Sequence, residues 1–289
     1  YCYAGKQLLK INKETGDIIA SAEMAGNSSF GINPPCYGGG MIFVGLAGGA
    51  VQAFNAETLE SLWVFKDTLG GQPNCTIQYS DGYIYTGFWN SETKDANFVC
   101  VSATDEDPDN PTETKYATWT YAVQGGFYWA GAYVTDKYAI VGSDDGESDS
   151  TSDSSYVYCF DKLTGEVVQK VGPHHGDIRS DISYYDGRIY FTSKGGYLYS
   201  YNLKEDGTID TENLIEPIEI GKMSTSTPAI ANGRCYVGSS YGSNFSGTYG
   251  ISVVDINEET GAMSLEYVVY TDAYPQTSGV VSTGYKGYN

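Results

Sequence analysis

Apolar and polar residues alternate along most of this chain in short runs, the two-residue period of a β-strand with one buried face. No stretch keeps a 3.6-residue apolar period, so helix is expected to be scarce. One unit recurs: a small or apolar strand, a turn ending in Gly, and an aromatic-rich strand ending in Gly or Thr. Its clearest copy runs from Thr227 to Gly238 and aligns without gaps with Pro34 to Gly45 and with Thr76 to Gly87. Weaker copies run from Gly131 to Gly142 and from Asp181 to Thr192.

A second pair of strands follows, joined by Asn/Asp-x-x-Thr-Gly. It appears at Leu8–Ile19, Val51–Trp63, Val157–Val168 and Ile251–Gly261. The Asx side chain folds onto its own backbone and Gly supplies the positive φ. Each unit therefore reads as four antiparallel strands, A to D. Such a unit is too thin to hide both faces, and radial stacking of several hides them. The expected fold is all-β: a single β-propeller over residues 1–289, with six four-stranded blades. Seven or eight blades follow if the chain is a piece of a longer ring. The chain begins inside a B strand (Tyr1 to Gly5) and ends after a lone A strand (Thr277 to Ser282). That last A strand is expected to complete the first blade and remove its open edge.

Composition narrows the function. Asp and Glu total 36 against 16 Lys and Arg, a formal net charge of -20. Nucleic acid and anionic lipid would be repelled. No apolar run approaches the roughly 20 residues of a membrane span, so no membrane insertion is expected. Tyr1 is not a natural start, and the chain reads as an excised or processed segment in which no signal or anchor is visible. The six cysteines form no CxxC pair, and most sit in apolar strand patterns, which suits buried thiols.

The repeats resemble those of the quinoprotein-dehydrogenase-like propellers, the PQQ-like repeats. Their usual form is an apolar strand, Asp-x-x-Thr-Gly, and a strand ending in Trp. Asn55 to Trp63 fits, with Leu59 in place of Gly. Asn12 to Ala20 and Asp161 to Gln169 fit up to the missing Trp. The resemblance covers nearly the whole chain. It implies a propeller, and a family that holds quinone-dependent dehydrogenases, outer-membrane assembly scaffolds and bacterial surface proteins. In the dehydrogenases the quinone lies between a Trp and a disulfide of adjacent cysteines, beside Ca²⁺. No two cysteines here are adjacent, so no PQQ is expected. Trp63 and Trp119 fall at strand D positions and read as packing residues.

Catalytic candidates are few. The two histidines, His174 and His175, are neighbours, and there is no Gly-x-Ser-x-Gly elbow. Two acidic loops stand out. Asp144 to Asp153 links strands B and C of one blade, and Asp144, Asp145, Asp149 and Asp153 are its candidate Ca²⁺ ligands. Asp105 to Asn110 links strands C and D of another and reads as solvated. The B–C and D–A loops of a propeller emerge at one end of the channel. There they carry Trp89, Phe127, Tyr128, Trp129, His174, His175, Arg179, Tyr241 and Tyr274 as candidate ligand contacts, with Asn90, Asp177, Asn244, Phe245 and Gln276 nearby. The reading is a non-catalytic, monomeric module outside a bacterial cell or on its surface, binding protein or glycan at this loop end. A carbohydrate-binding surface protein, a divergent quinoprotein oxidoreductase and a hydrolase using the channel are the alternatives.

Overall fold

A computed structural model describes residues 1–28, 33–149, 151–242 and 247–282. All regular structure among them is β, arranged as six sheets. The first holds β1 (Cys2–Ala4), β2 (Gln7–Ile11) and β3 (Ile18–Glu23). The second holds β4 (Cys36–Gly38), β5 (Met41–Leu46), β6 (Ala50–Asn55) and β7 (Ser61–Lys66). The third is built from β8 (Gln78–Ser80), β9 (Tyr83–Gly87), β10 (Asp95–Ser102) and, beyond the short β11 (Glu113–Lys115), β12 (Ala117–Gln124). The fourth runs β13 (Tyr133–Val134), β14 (Tyr138–Gly142), β15 (Ser155–Asp161) and β16 (Val167–His174). The fifth runs β17 (Ser183–Tyr185), β18 (Arg188–Thr192), β19 (Tyr197–Asn202) and β20 (Ile218–Glu219). The sixth runs β21 (Ala229–Ala231), β22 (Arg234–Ser240), β23 (Tyr249–Ile256) and β24 (Met263–Thr271). Within each sheet the order follows the chain and neighbours are antiparallel, as the repeats require, except that β11 joins the second sheet as a fifth strand, parallel to β7.

The turns form as their chemistry demands. Oδ1 of Asn12, Asn55, Asp161 and Asn257 each accepts the backbone N–H groups two and three residues on. The fifth turn residue is left-handed: Gly16, Gly165 and Gly261 lie at φ 75–78°, and Leu59 takes the same place at φ 63°. Leu59 is nevertheless buried against the first sheet.

Five apolar clusters fill the five gaps between successive sheets. A side chain of each sheet also donates to a backbone carbonyl in the C–D connection of the next. Lys10 Nζ reaches Ala56 O (3.2 Å) and Trp63 Nε1 reaches Ala103 O (3.3 Å). Trp119 Nε1 reaches Lys162 O, Gln169 Nε2 reaches Ile209 O and Arg188 Nη2 reaches Glu258 O, each at 2.9 Å. Trp63 and Trp119 are thus the packing residues expected of them.

The Gly that ends strand B is explained by the crossing D–A connection. A Cβ on Gly87 would lie 2.5 Å from Phe127 Cβ, and one on Gly142 2.2 Å from Ile178 Cγ2. Gly45 and Gly238 meet Pro73 and Pro275 in the same way. In the fifth sheet Thr192 stands there, and its Oγ1 donates to the crossing segment at Ser226 O (2.8 Å). This close crossing carries each D–A loop over its own sheet toward the channel mouth.

Two expectations change. Residues 277–282 form no strand and do not pair with β1. Thr277 O instead accepts from Ser226 Oγ (2.9 Å), and a Cβ on Gly279 would touch Ala229 Cβ, so the segment continues along the sixth sheet. The acidic Asp105–Asn110 loop is not merely solvated. Glu113 Oε2 accepts the N–H groups of Glu106 and Asp107, Lys115 Nζ sits 2.9 Å from Glu106, and β11 pairs in parallel with β7 of the previous sheet. It is a strap across two sheets. The thiols are all free, with Cys75, Cys100, Cys159 and Cys235 buried as expected and Cys2 and Cys36 half-buried.

Candidate functional site

At the end of the molecule where D–A and B–C loops emerge, loops of four sheets interlock. Asp144 N–H donates to Gly126 O (3.0 Å), and Lys194 N–H to Asp177 O (2.9 Å). Asp145 N–H donates to Asp177 Oδ1 (3.0 Å). At their centre is Arg179. Its Nη2 lies 2.6 Å from Glu92 Oε2, 2.6 Å from Asp144 Oδ2 and 2.8 Å from Asp177 Oδ2. Its Nε donates to Asp144 Oδ1 (3.1 Å), and Lys194 Nζ is 3.8 Å from Asp177 Oδ2.

A guanidinium Nη2 carries two hydrogens. Glu92 and Asp144 accept both, and Asp177 Oδ2 keeps no hydrogen bond although it is buried. Burial then decides the protonation. Desolvation lifts Asp144 to about 7 against the pull of Arg179. Desolvation and the charge of Asp144 also raise Asp177. Burial opposes the charge on Arg179, but Asp144 and Asp177 outweigh it and hold the guanidinium protonated. Lys194 is lowered by burial and by Arg179.

Beside this cluster stand three half-buried aromatics. Trp89 stacks on Tyr128 with centroids 4.7 Å apart, and Tyr128 on Trp129 at 4.5 Å. Arg179 Cζ lies 4.7 Å from the Tyr128 ring. Trp129 is held at φ 61°, a strained value for a bulky side chain. The indole N–H groups of Trp89 and Trp129, and Asn74 Oδ1, are buried without hydrogen-bond partners. A hollow of 360 Å³ lined by Gln124, Asp144, Asp145, Tyr156 and Lys170 opens next to the cluster. A hollow of 860 Å³ lies at the opposite, turn end, beside Tyr185, Arg234 and Glu258.

The expected site divides. Trp89, Tyr128, Trp129 and Arg179 come together. Phe127 and His174 do not belong to a contact surface: Phe127 is core beneath the crossing at Gly87, and His174 packs edge-on against Phe191, Tyr199 and Tyr201. Burial pushes His174 down to about 4, so it is neutral. His175 is half-buried and pairs with Asp153 (2.7 Å). Tyr241 and Tyr274 sit on the sixth sheet, bonded to Ser252 and to Thr225. Asn244 and Phe245 lie outside the described residues.

The four carboxylates expected to hold Ca²⁺ do not converge. Asp144 serves Arg179, Asp145 accepts from Glu147 N–H and Ser152 Oγ, Asp149 caps Thr151, and Asp153 binds His175. The one metal-like group of acids among the described residues is Glu92, Asp144 and Asp177, and Arg179 already supplies its cation. Glu92, Lys194 and Asn74 escaped the sequence reading, because each is a lone polar residue in a different loop.

The family model described as outer membrane protein assembly factor BamB matches residues 2–92 and 112–279. The chain belongs to this family of PQQ-like propellers. The unmatched stretch between 92 and 112 contains β10 and the approach to the β11 strap. Among solved structures the chain is similar to BamB from Moraxella catarrhalis, with 16% identity and TM-score 0.56. That match covers 86% of this chain and spans 64% of the BamB chain. A chain in a structure of the mitotic checkpoint complex matches at 8% identity and TM-score 0.64, covering 95% of this chain and 75% of that one. A putative 6-phosphogluconolactonase from Bacteroides fragilis matches at 16% identity and TM-score 0.60, covering 94% and 80%. These likenesses show the propeller fold. A comparison with curated protein sequences finds no match.

Proposed function

We propose that the chain is a non-catalytic, extracytoplasmic protein-binding module whose contact surface is the loop end around Arg179. The observation that carries this is the half-buried aromatic trio Trp89, Tyr128 and Trp129 stacked beside the Arg179 guanidinium, with Trp129 in a strained backbone conformation. A rigid, half-buried aromatic platform beside a cation suits a protein partner. The nearby titratable groups favour binding over catalysis, since Arg179 locks Glu92 and Asp144 and His174 is sealed in the core. A protein fits better than a glycan, because the rings stack on one another and keep little free face for a sugar. The role in the name of the BamB family, outer membrane protein assembly, points the same way and supports a location outside the cytoplasm. The net charge of -20 favours a partner with a basic surface.

The test is site-specific photo-crosslinking in the cell of origin, with the reactive residue at position 129 or, at the turn end, at position 258. Adducts of one defined mass from 129, digested by protease and absent from 258, are expected. No adduct at 129, or the same adducts from both positions, contradicts the reading.

A further inference from the structure

Lys194 and Asp177 are pinned side by side at the loop end. Lys194 lies in the B–C turn between β18 and β19, and Asp177 in the connection between β16 and β17. The Lys194 N–H donates to Asp177 O at 2.9 Å, which fixes the two main chains against each other. Their side chains then meet inside the Arg179 cluster, with Nζ 3.8 Å from Oδ2. The Lys194 side chain is 12% exposed and that of Asp177 is fully buried.

The two oxygens of Asp177 are not alike. Oδ1 accepts the N–H of Asp145 at 3.0 Å, whereas Oδ2 is buried and makes no hydrogen bond. The two Nη2 hydrogens of Arg179 go to Glu92 and Asp144 instead. An ordinary salt bridge would close to hydrogen-bond distance, and Nζ stays beyond it. Burial, joined by the charge of Asp144, raises Asp177, and burial, joined by Arg179, lowers Lys194. Both effects favour moving one proton from Nζ to Oδ2, which leaves an amine facing a carboxylic acid. Other close lysine–carboxylate pairs differ. Asp81 beside Lys162 is exposed and held ionised by the hydrogen bond from that lysine, and Glu106 beside Lys115 and Glu219 beside Lys222 are exposed.

We propose that Lys194 Nζ and Asp177 Cγ condense to an amide, a covalent bond that ties the B–C turn of the fifth sheet to the connection between the fourth and fifth sheets. Nζ attacks Cγ, and the charge that gathers on Oδ1 is received by the Asp145 N–H. The Cγ–Oδ2 bond then breaks. One hydrogen of the amine leaves with the Oδ2–H group as water, so nothing is oxidised or reduced. Asp144, which has a carboxylate oxygen within 4.8 Å of the Asp177 carboxylate, takes the proton from Nζ and delivers it to Oδ2. Two partners held in contact away from bulk water react as if highly concentrated. The bond would clamp the segment that carries Arg179, whatever the loop end binds.

The purified, folded chain is tested by intact mass and by a tryptic map made under denaturing conditions. The parent is expected to weigh less than its sequence by one water. Trypsin should fail to cut after Lys194, and the peptide 171–179 should be found joined to the peptide 189–204. Lys194→Arg keeps the positive charge but cannot supply a neutral amine, and it is expected at full mass with a lower Tm. Asp144→Asn is expected to fold, checked by circular dichroism, and to form the bond more slowly. A parent at full mass that trypsin cuts after Lys194 would overturn the proposal. So would a water lost equally from Lys194→Arg, or one mapped to a succinimide at an Asp–Gly step such as Asp145–Gly146. Bond formation at the parent's rate in Asp144→Asn would overturn the role given to Asp144.

Discussion

Trp119 and Tyr267 occupy the same register position in two sheets, and their surroundings could hardly differ more. Trp119 lies between Phe98, Phe160 and Tyr85 and donates to Lys162 O. Tyr267 faces solvent. The strand, the turn and the pattern of alternation are alike, so local sequence does not decide burial here; the presence of a next sheet does. Stability in such an array resides in neighbour interfaces more than in any single sheet.

The largest effects are expected inside the array. Trp119→Ala should cost about 3–5 kcal/mol, the range for a large buried aromatic, and urea unfolding would measure it. Arg179→Met should cost a similar amount, about 3–5 kcal/mol, because it strands two buried carboxylates. If Arg179→Met instead unfolds like the parent, the cluster is solvated and the loop end is not rigid.

Leu59→Gly sets two terms against each other. Relief of a left-handed Leu returns about 1 kcal/mol, while loss of its burial costs about 2–3 kcal/mol. Burial wins, and a net loss of about 1–2 kcal/mol is expected on those terms. A stabilised variant would show that the contact of Leu59 with the first sheet is weak. Tyr267→Ala is the smallest change, within about 0.5 kcal/mol as for an ordinary surface site.

The loop end should also show in pH profiles. Asp144 has its pKa raised from 3.8 to about 7, so its contribution is full below its unfolded value and is lost as pH rises through 7. His174 is lowered from 6.5 to about 4, so its contribution is present above 6.5 and is lost as pH falls through 4. The two oppose each other across the same window. Unfolding free energy followed from pH 4 to 7 should fall more steeply with pH in His174→Phe than in the parent, and less steeply in Asp144→Asn. Parallel profiles for all three would contradict the burial assigned to both groups.

Strands and turns were legible because their signals are local. Alternation marks each strand, and Asn12, Asn55, Asp161 and Asn257 mark their turns by chemistry that spans five residues. The glycine ending strand B was legible as a signature, and its cause, the crossing connector, needed the structure. Trp89, Tyr128, Trp129 and Arg179 could be placed at one end from topology alone. Phe127 and His174 could not be told from them, since a loop residue that plugs the core and one that faces solvent look alike in sequence. Asn74, Glu92 and Lys194 come from three loops far apart in the chain, and no spacing rule links them. The strap of Glu113 and Lys115 was hidden by the acidic residues before it.

The most direct test of whether a docked neighbour decides burial is a pair of distances between spin labels, with Cys2 and Cys36 replaced by Ser. Glu14, Glu57 and Glu259 stand in the C–D turns of the first, second and sixth sheets and are exposed. The separation between positions 14 and 259 is expected to exceed that between 14 and 57, which belong to docked neighbours. Equal separations would mean that the first and sixth sheets are themselves neighbours, and the contrast between buried and open faces would fall.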